Sequence, residues 1–195
     1  MKLIFATGNR HKLEEVSDIL GGQVELHTPA EYGITEDIPE NEPALEGNAS
    51  AKAWYIYDRT SADCFADDTG LEVEALGGEP GVLSARYAGE VKSSEDNMDL
   101  LLEKLEGNPN RRARFRTVIS LIIDGREHQF EGVVNGTIIE GRHGSEGFGY
   151  DPIFRPDGFE ETFAQMNLEQ KNQISHRALA TKALAKYLGT FNSQK

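Results

Sequence analysis

Phe115, Thr117, Ile119, Leu121 and Ile123 recur at every second residue, and the run ends at Asp124-Gly125 before a second extended segment over 126–139. A period of two fits a strand with one buried face. Asp-Gly is a two-residue loop that closes such strands into a hairpin, because both positions accept positive φ. A long antiparallel hairpin thus occupies the middle of the chain, and the other elements must pack around it. Leu13, Val16 and Leu20 mark one face of a helix over 11–20, stopped by Gly21-Gly22. The alanine-rich stretch 44–58 predicts a second helix. Met98, Leu101, Leu102 and Leu105, at i, i+3, i+4 and i+7, predict a third over 94–106, ended by Asn108-Pro109. Ser175 is placed to cap a last helix with an apolar face of Leu179, Ala183, Leu184, Tyr187 and Leu188.

Shorter strands are expected over 2–6 and around Val24 and Leu26. CFADDTGLEVEAL reads as strand, turn and strand, with the turn at Asp68-Thr69-Gly70. The stretch holding Pro29, Gly33, Pro39 and Pro43, the GGEPG segment (77–81) and GRHGSEGFGYDP (141–152) read as loops. Strands and helices interleave around an antiparallel hairpin, so the class is α/β with a mixed sheet. At 195 residues, a single domain over 1–195 is expected.

Lys and Arg total 20 against 33 Asp and Glu, a net charge of −13, which argues against general binding to a phosphate backbone. A small anion held by a few local cations remains compatible with that charge. The single cysteine, Cys64, excludes an internal disulfide and any C-x-x-C zinc spacing, and its strand setting predicts a buried, inert thiol. The start of the chain is too short for a signal peptide, and no stretch approaches the ~20 apolar residues of a membrane span, so a cytoplasmic protein is expected.

Four polar motifs stand out. TGNRHK (Thr7, Gly8, Asn9, Arg10, His11, Lys12) joins the first strand to the first helix. A strand-to-helix turn presents unpaired N–H groups and the positive end of the helix dipole, and Lys12 adds a full charge, the physics of a phosphate cradle. The pattern is not a Walker motif, and an ordinary turn with a solvated lysine is the alternative. ADDTG (66–70) places adjacent carboxylates in an apolar strand, which is costly without compensating partners. Successive strand residues face opposite ways, so Asp67 and Asp68 need not share a role, and Asp68 is the better candidate for a base or metal ligand. Hard carboxylate oxygens beside phosphate suit Mg²⁺. The alternative is a turn-forming Asp. FGYD (148–151) offers aromatic rings that stack on a base or anchor a loop, and Lys171 and His176-Arg177 bring basic groups to the last helix.

TGNRHK, FADDTGLEVEALGGEPGVLSARYAG, EGFGYDPIF and ISHRA, in this order, resemble the non-canonical purine nucleoside triphosphate pyrophosphatases (the inosine triphosphatases) over nearly the whole chain. The resemblance implies an elongated mixed β-sheet flanked by helices, with two lobes and a nucleotide cleft between them. It implies homodimers that use Mg²⁺ to hydrolyse ITP, dITP and XTP to monophosphate and pyrophosphate. By position it implies that Thr7, Gly8, Asn9 and Lys12 hold phosphate, with Arg10 and His11 of the same turn as further substrate contacts, and that Lys52 is a phosphate-binding lysine. Asp68 matches the catalytic base and metal ligand, with Asp67 beside it as a further metal candidate, and Thr69 matches a substrate contact. Phe148, Gly149, Tyr150, Asp151, Lys171, His176 and Arg177 match the nucleoside side, where Arg177 is the strongest donor for choosing the base. The remote metal-ligand glutamate falls at Glu40 in IPENEPALEGN, with Glu42 as the alternative. A house-cleaning pyrophosphatase for modified pyrimidine nucleotides, or a non-catalytic nucleotide-binding module, would share several of these features.

Overall fold

Local chemistry sets most element boundaries in the computed structural model, which describes residues 1–192. In chain order the elements are β1 (Lys2–Phe5), α1 (Arg10–Leu20), β2 (Glu25–His27), α2 (Leu45–Thr60), β3 (Cys64–Val73), β4 (Pro80–Gly81) and α3 (Ser94–Lys104). Then come β5 (Arg112–Ile123), β6 (Arg126–Ile138), β7 (Phe154–Pro156), α4 (Leu168–Ile174) and α5 (His176–Asn192). The mixed α/β class expected from the sequence is the one observed. Asn9 caps α1 by accepting the Lys12 N–H, and Gly21 ends the helix in the left-handed region at φ 53. Asp124 (φ 48) and Gly125 (φ 71) form the hairpin turn with both residues at positive φ.

Two expectations need correction, and a third gains a detail. CFADDTGLEV is one uninterrupted strand, so no turn falls at Asp68-Thr69-Gly70. Its carboxylates stay in the strand because cations from distant segments meet them, as described below. Ser175 directly precedes α5 with extended backbone (φ −66, ψ 154), the capping position expected of it, and its N–H, donating to the Lys171 carbonyl at 2.8 Å, also ends a short helix unseen in the sequence, α4. Leu179 is 40 % exposed, and the buried face of α5 runs through Ala180, Leu184 and Leu188 instead.

The described chain divides into two compact units. The first comprises Met1–Asp68, Thr117–Gly132 and the segment from His176. Its strands are ordered β2-β1-β3-β5-β6, with β1 parallel to both β2 and β3. Alternation sorts the side chains between two cores. Leu3, Phe5 and Phe65 pack with Val16 and Leu20 of α1 and with Ala180, Leu184 and Leu188 of α5. Ile4, Ala6, Cys64 and Ala66 pack with Ala53 and Ile56 of α2. The Phe5 and Phe65 rings stack at 4.5 Å. The second unit comprises Thr69–Arg116 and Val133–Ser175. Here β4 pairs antiparallel with β3, β7 pairs antiparallel with β6, and Met98 and Leu101 of α3 pack on Phe115, Phe154 and Phe163. Among the described residues, no helix is long and apolar enough to cross a membrane.

Cys64 is fully buried, and its Sγ donates to the Ala53 carbonyl at 3.2 Å. Burial, reinforced by the neighbouring Asp63, pushes the thiol up to about 12. Native protein at pH 8 should therefore leave an aromatic disulfide reagent unreacted for hours, whereas urea should expose one thiol within minutes. Reaction within minutes under native conditions would contradict this burial.

Candidate active site

The TGNRHK turn sits where β1 gives way to α1 in the first unit. The Thr7 hydroxyl accepts the Asn9 N–H at 3.1 Å, and Asn9 Oδ1 accepts the Lys12 N–H at 3.2 Å, so two side chains lock the turn. A Cβ at Gly8 would meet no atom within 4 Å, and its bare backbone faces open space. Arg10 is exposed and pairs with Glu14 one helical turn on, while His11 is also exposed. Lys12 turns inward: its Nζ lies 2.9 Å from Asp67 Oδ1, with the side chain 16 % exposed. Burial lowers its ammonium pKa, Lys52 and Arg177 push the same way, and Asp67 opposes them.

Strand alternation in β3 sends the two aspartates to different sides. Asp67 shares the face of Phe65, towards α1 and α5. Besides Lys12 it accepts from Arg177 Nε at 3.3 Å, and the Arg177 guanidinium also grips Glu15 of α1. Glu15, Arg177, Asp67 and Lys12 thus form a row of alternating charge that sums to zero. Burial alone would raise the Asp67 carboxyl, but Lys12, Arg177 and Lys52 outweigh it and hold the group well below the usual carboxylate range. Asp67 is a fixed anion, committed to its cations.

Asp68 shares the face of Ala66, towards α2. Its Oδ1 accepts from Lys52 Nζ at 3.2 Å and its Oδ2 from Asn48 Nδ2 at 3.1 Å. Lys52 Nζ also reaches Glu40 Oε1 at 2.6 Å, so one ammonium bridges both carboxylates. Glu42 is tied down by its backbone, whose N–H donates to Asn48 Oδ1. Of the two glutamates, Glu40 is the one whose carboxylate shares this lysine with Asp68. Burial raises the Asp68 carboxyl above its ordinary value; Lys52 and Lys12 oppose that shift and Glu40 adds to it. Asp67 and Asp68 are adjacent in sequence and pushed in opposite directions, which leaves Asp68 the better proton acceptor. Asp68 and Lys52 also carry opposite charge, so Lys52 is held protonated: burial lowers its pKa, and Asp68, Asp67 and Glu40 more than restore it.

The residues matched to the nucleoside side fall in two places. His176 and Arg177 open α5 in the first unit and are both buried. The remainder lie in the second unit, where Thr69 directly follows Asp68 along β3. Asp151 Oδ2 accepts the Phe148 N–H at 2.9 Å and Lys171 Nζ at 2.8 Å, closing the FGYD loop on itself. A Cβ at Gly147 would come within 2.2 Å of that oxygen, so only glycine fits there. Gly149 takes φ 64. Lys171 Nζ lies 5.1 Å from the Phe148 ring centroid, a cation–π contact that braces a half-buried ring. Tyr150 is buried among the apolar residues of this unit, with its hydroxyl on the Ser84 carbonyl at 2.8 Å. It anchors the loop.

Three further residues were missed in the sequence. Glu15 lies on the buried side of α1, and a glutamate beside Val16 in that pattern was the available signal. Asn48 lies one turn before Lys52, on the same face of α2. Gly132 of β6 had no signal: a Cβ there would lie 2.0 Å from the His176 carbonyl oxygen and 2.6 Å from the Ala180 nitrogen. The first turn of α5 therefore rests directly on the strand, which seats Arg177.

Fold and site together define a class: a mixed α/β protein that gathers a helix start, two lysines and two differently tuned aspartates on one unit. The chain belongs to the Ham1 family, whose model matches residues 3–187. A relative from Porphyromonas gingivalis named dITP/XTP pyrophosphatase is 55 % identical over 188 residues, spanning 96 % of this chain and 97 % of its own. One from Flavobacterium psychrophilum with the same name is 50 % identical over 184 residues, spanning 94 % and 97 %. The Ham1 protein of Staphylococcus aureus, a solved structure, aligns with a TM-score of 0.89 at 40 % identity, covering 97 % of this chain and 99 % of that one.

Proposed function

We propose that this chain hydrolyses non-canonical purine nucleoside triphosphates (dITP, ITP and XTP) to the monophosphate and pyrophosphate, clearing deaminated purines from the nucleotide pool. The observation that carries the chemistry is the split between the two aspartates: Asp67 locked between Lys12 and Arg177, Asp68 raised and held between Lys52 and Asn48. Asp68 orients a water and accepts its proton as the water oxygen bonds to the α-phosphorus. The bond from that phosphorus to the oxygen bridging it to the β-phosphorus breaks, and the electron pair leaves with pyrophosphate. Lys12, Lys52 and the N–H groups at the start of α1 face the triphosphate and stabilise the charge that develops there.

Glu40 and Asp68 would hold Mg²⁺. The donor set fits, because both are hard carboxylates that already converge on a common cationic atom, Lys52 Nζ. Among the described residues no group of three or more metal-binding side chains occurs, and Mg²⁺ commonly takes one or two carboxylates with phosphate oxygens and water completing its shell. When bound, it neutralises triphosphate charge and draws electron density from the leaving group. Phe148 supplies a stacking face for the base. On the strength of the family resemblance we place the activity in a homodimer, and we keep the cytoplasmic location expected from the sequence.

Phosphorus NMR of the protein with dITP and Mg²⁺ tests the reading. Pyrophosphate and dIMP support it, and a diphosphate with orthophosphate would overturn it. A panel that includes modified pyrimidine triphosphates, compared by kcat/KM, separates the purine reading from a pyrimidine one.

Lys12 should be blind to the base. Lys12→Ala removes a phosphate-side cation, so kcat/KM should fall for dITP, XTP and dATP by factors that agree within about threefold, as expected when an interaction common to all substrates is lost. A loss confined to one base would move Lys12 to the nucleoside side.

A further inference from the structure

Asn48 is 1 % exposed and its side-chain amide is used at both ends. Oδ1 accepts the Glu42 N–H at 2.9 Å, and Nδ2 donates to Asp68 Oδ2 at 3.1 Å. The orientation of the amide is dictated by its partners, since a backbone N–H only donates and a carboxylate only accepts. Asp68 is thereby gripped on both oxygens, Oδ1 by Lys52 and Oδ2 by Asn48, which fixes the rotation of its carboxyl plane. The Glu42 contact fixes the course of the loop that carries Glu40, two residues earlier. That loop packs close to α2: a Cβ on Gly47 would lie 2.8 Å from Glu42 Cβ.

We infer that Asn48 is a positioning residue for the hydrolysis, whose single amide sets both the orientation of the Asp68 carboxylate and the approach of Glu40 to the same place. The inference rests on the pyrophosphohydrolase reading and deepens it. The Asn48 amide contacts the Asp68 carboxylate and the Glu42 N–H, and its part in the reaction is to hold them in place. Its effect passes through Asp68 and Glu40, so it belongs to the rate of the chemical step more than to substrate capture, which lies with the Thr7–Lys12 turn. The two ends of the amide are separable by mutation. Asn48→Asp keeps an acceptor for the Glu42 N–H but sets a second carboxylate against Asp68. Asn48→Ala removes both contacts.

The test compares wild type, N48A and N48D with dITP and Mg²⁺, and follows hydrogen exchange at the Glu42 amide in the same proteins, with melting temperatures measured alongside. Loss of a residue that orients a reacting group costs about 10- to 100-fold, and kcat of N48A should fall by that factor. KM should stay within about threefold of wild type, because the phosphate turn is untouched. Exchange at Glu42 should quicken at least ~10-fold in N48A, where opening needs no side-chain bond to break, and remain slow in N48D. N48D should lose at least as much kcat as N48A. If N48A retains wild-type kcat, or if its loss is matched by a rising KM with Glu42 still protected, the inference is wrong. Should N48A fail to fold, N48D decides: slow Glu42 exchange with collapsed kcat supports the assignment, and full activity overturns it. A wild type that releases no pyrophosphate from dITP would instead sink the hydrolase reading, which keeps the two failures apart.

Discussion

Asp68→Asn should turn over dITP at least ~10²-fold more slowly than wild type, the range expected when a positioned acid–base group is lost, while its melting behaviour stays close to that of wild type. Geometry and charge both contribute. Asparagine matches the shape of aspartate, but both oxygens of Asp68 accept hydrogen bonds, one from Lys52 and one from Asn48. An amide has only one acceptor, so one donor must lose its partner, and no lone pair of comparable basicity is left for the proton of the attacking water. The proposed Mg²⁺ site would lose one of its two carboxylates in the same step. Single-turnover rates measured with circular dichroism on the same samples check this. If Asp68→Asn retains most of its turnover and Asp67→Asn has none, the two roles are reversed.

Arg177→Met should destabilise the protein by about 3–5 kcal/mol, the cost of breaking a buried ion pair from one side. For a chain of this size that amounts to a fall in melting temperature of roughly 6–20 °C. Arg177 is among the largest fully buried side chains, and it separates Glu15 from Asp67. Methionine fills much of the volume but leaves two carboxylates facing each other inside the fold. Adding Glu15→Gln should recover part of the loss, because it removes one of the stranded charges. An Arg177→Met protein that melts within 2 °C of wild type (roughly 1 kcal/mol or less) would mean that the charge row does not hold the unit together. The same row resists acid. The Asp67 carboxyl is held below its ordinary value of 3.8, so its contribution is complete above that pH and is lost only as pH falls through the lower, folded-state value.

The buried setting of Arg177 also changes how its influence on the base should be understood. The sequence made it the strongest donor near the substrate. In the fold its Nε and one terminal nitrogen grip Asp67 and Glu15. Any effect of Arg177 substitutions on base choice should therefore be read beside their effect on stability.

What the sequence revealed follows from the range of the interactions involved. The 112–138 hairpin was legible because alternation and Asp124-Gly125 are both local. α1 and α3 were legible because each repeats its apolar positions and has a capping side chain, Asn9 or Ser93, beside its first turn, and α2 because its stretch is rich in alanine and has few breakers. The Asp-Thr-Gly stretch was misread for the opposite reason. Two adjacent carboxylates and a glycine look like a turn, and what keeps them in a strand are Lys12, Lys52 and Arg177, which arrive from far along the chain. α4 has seven residues, too few to show a period. Glu15 and Asn48 were overlooked because an ordinary helix tolerates either on its surface. Only the fold shows that both point inward, Glu15 onto Arg177 and Asn48 onto Asp68.

In the proposed reaction a water oriented by Asp68 attacks the α-phosphorus. Hydrolysis of dITP in ¹⁸O-labelled water, with the products separated and weighed by mass spectrometry, tests it most directly. The label should appear in dIMP, with the pyrophosphate unlabelled. Label in the pyrophosphate, which requires attack at the β-phosphorus, would contradict it.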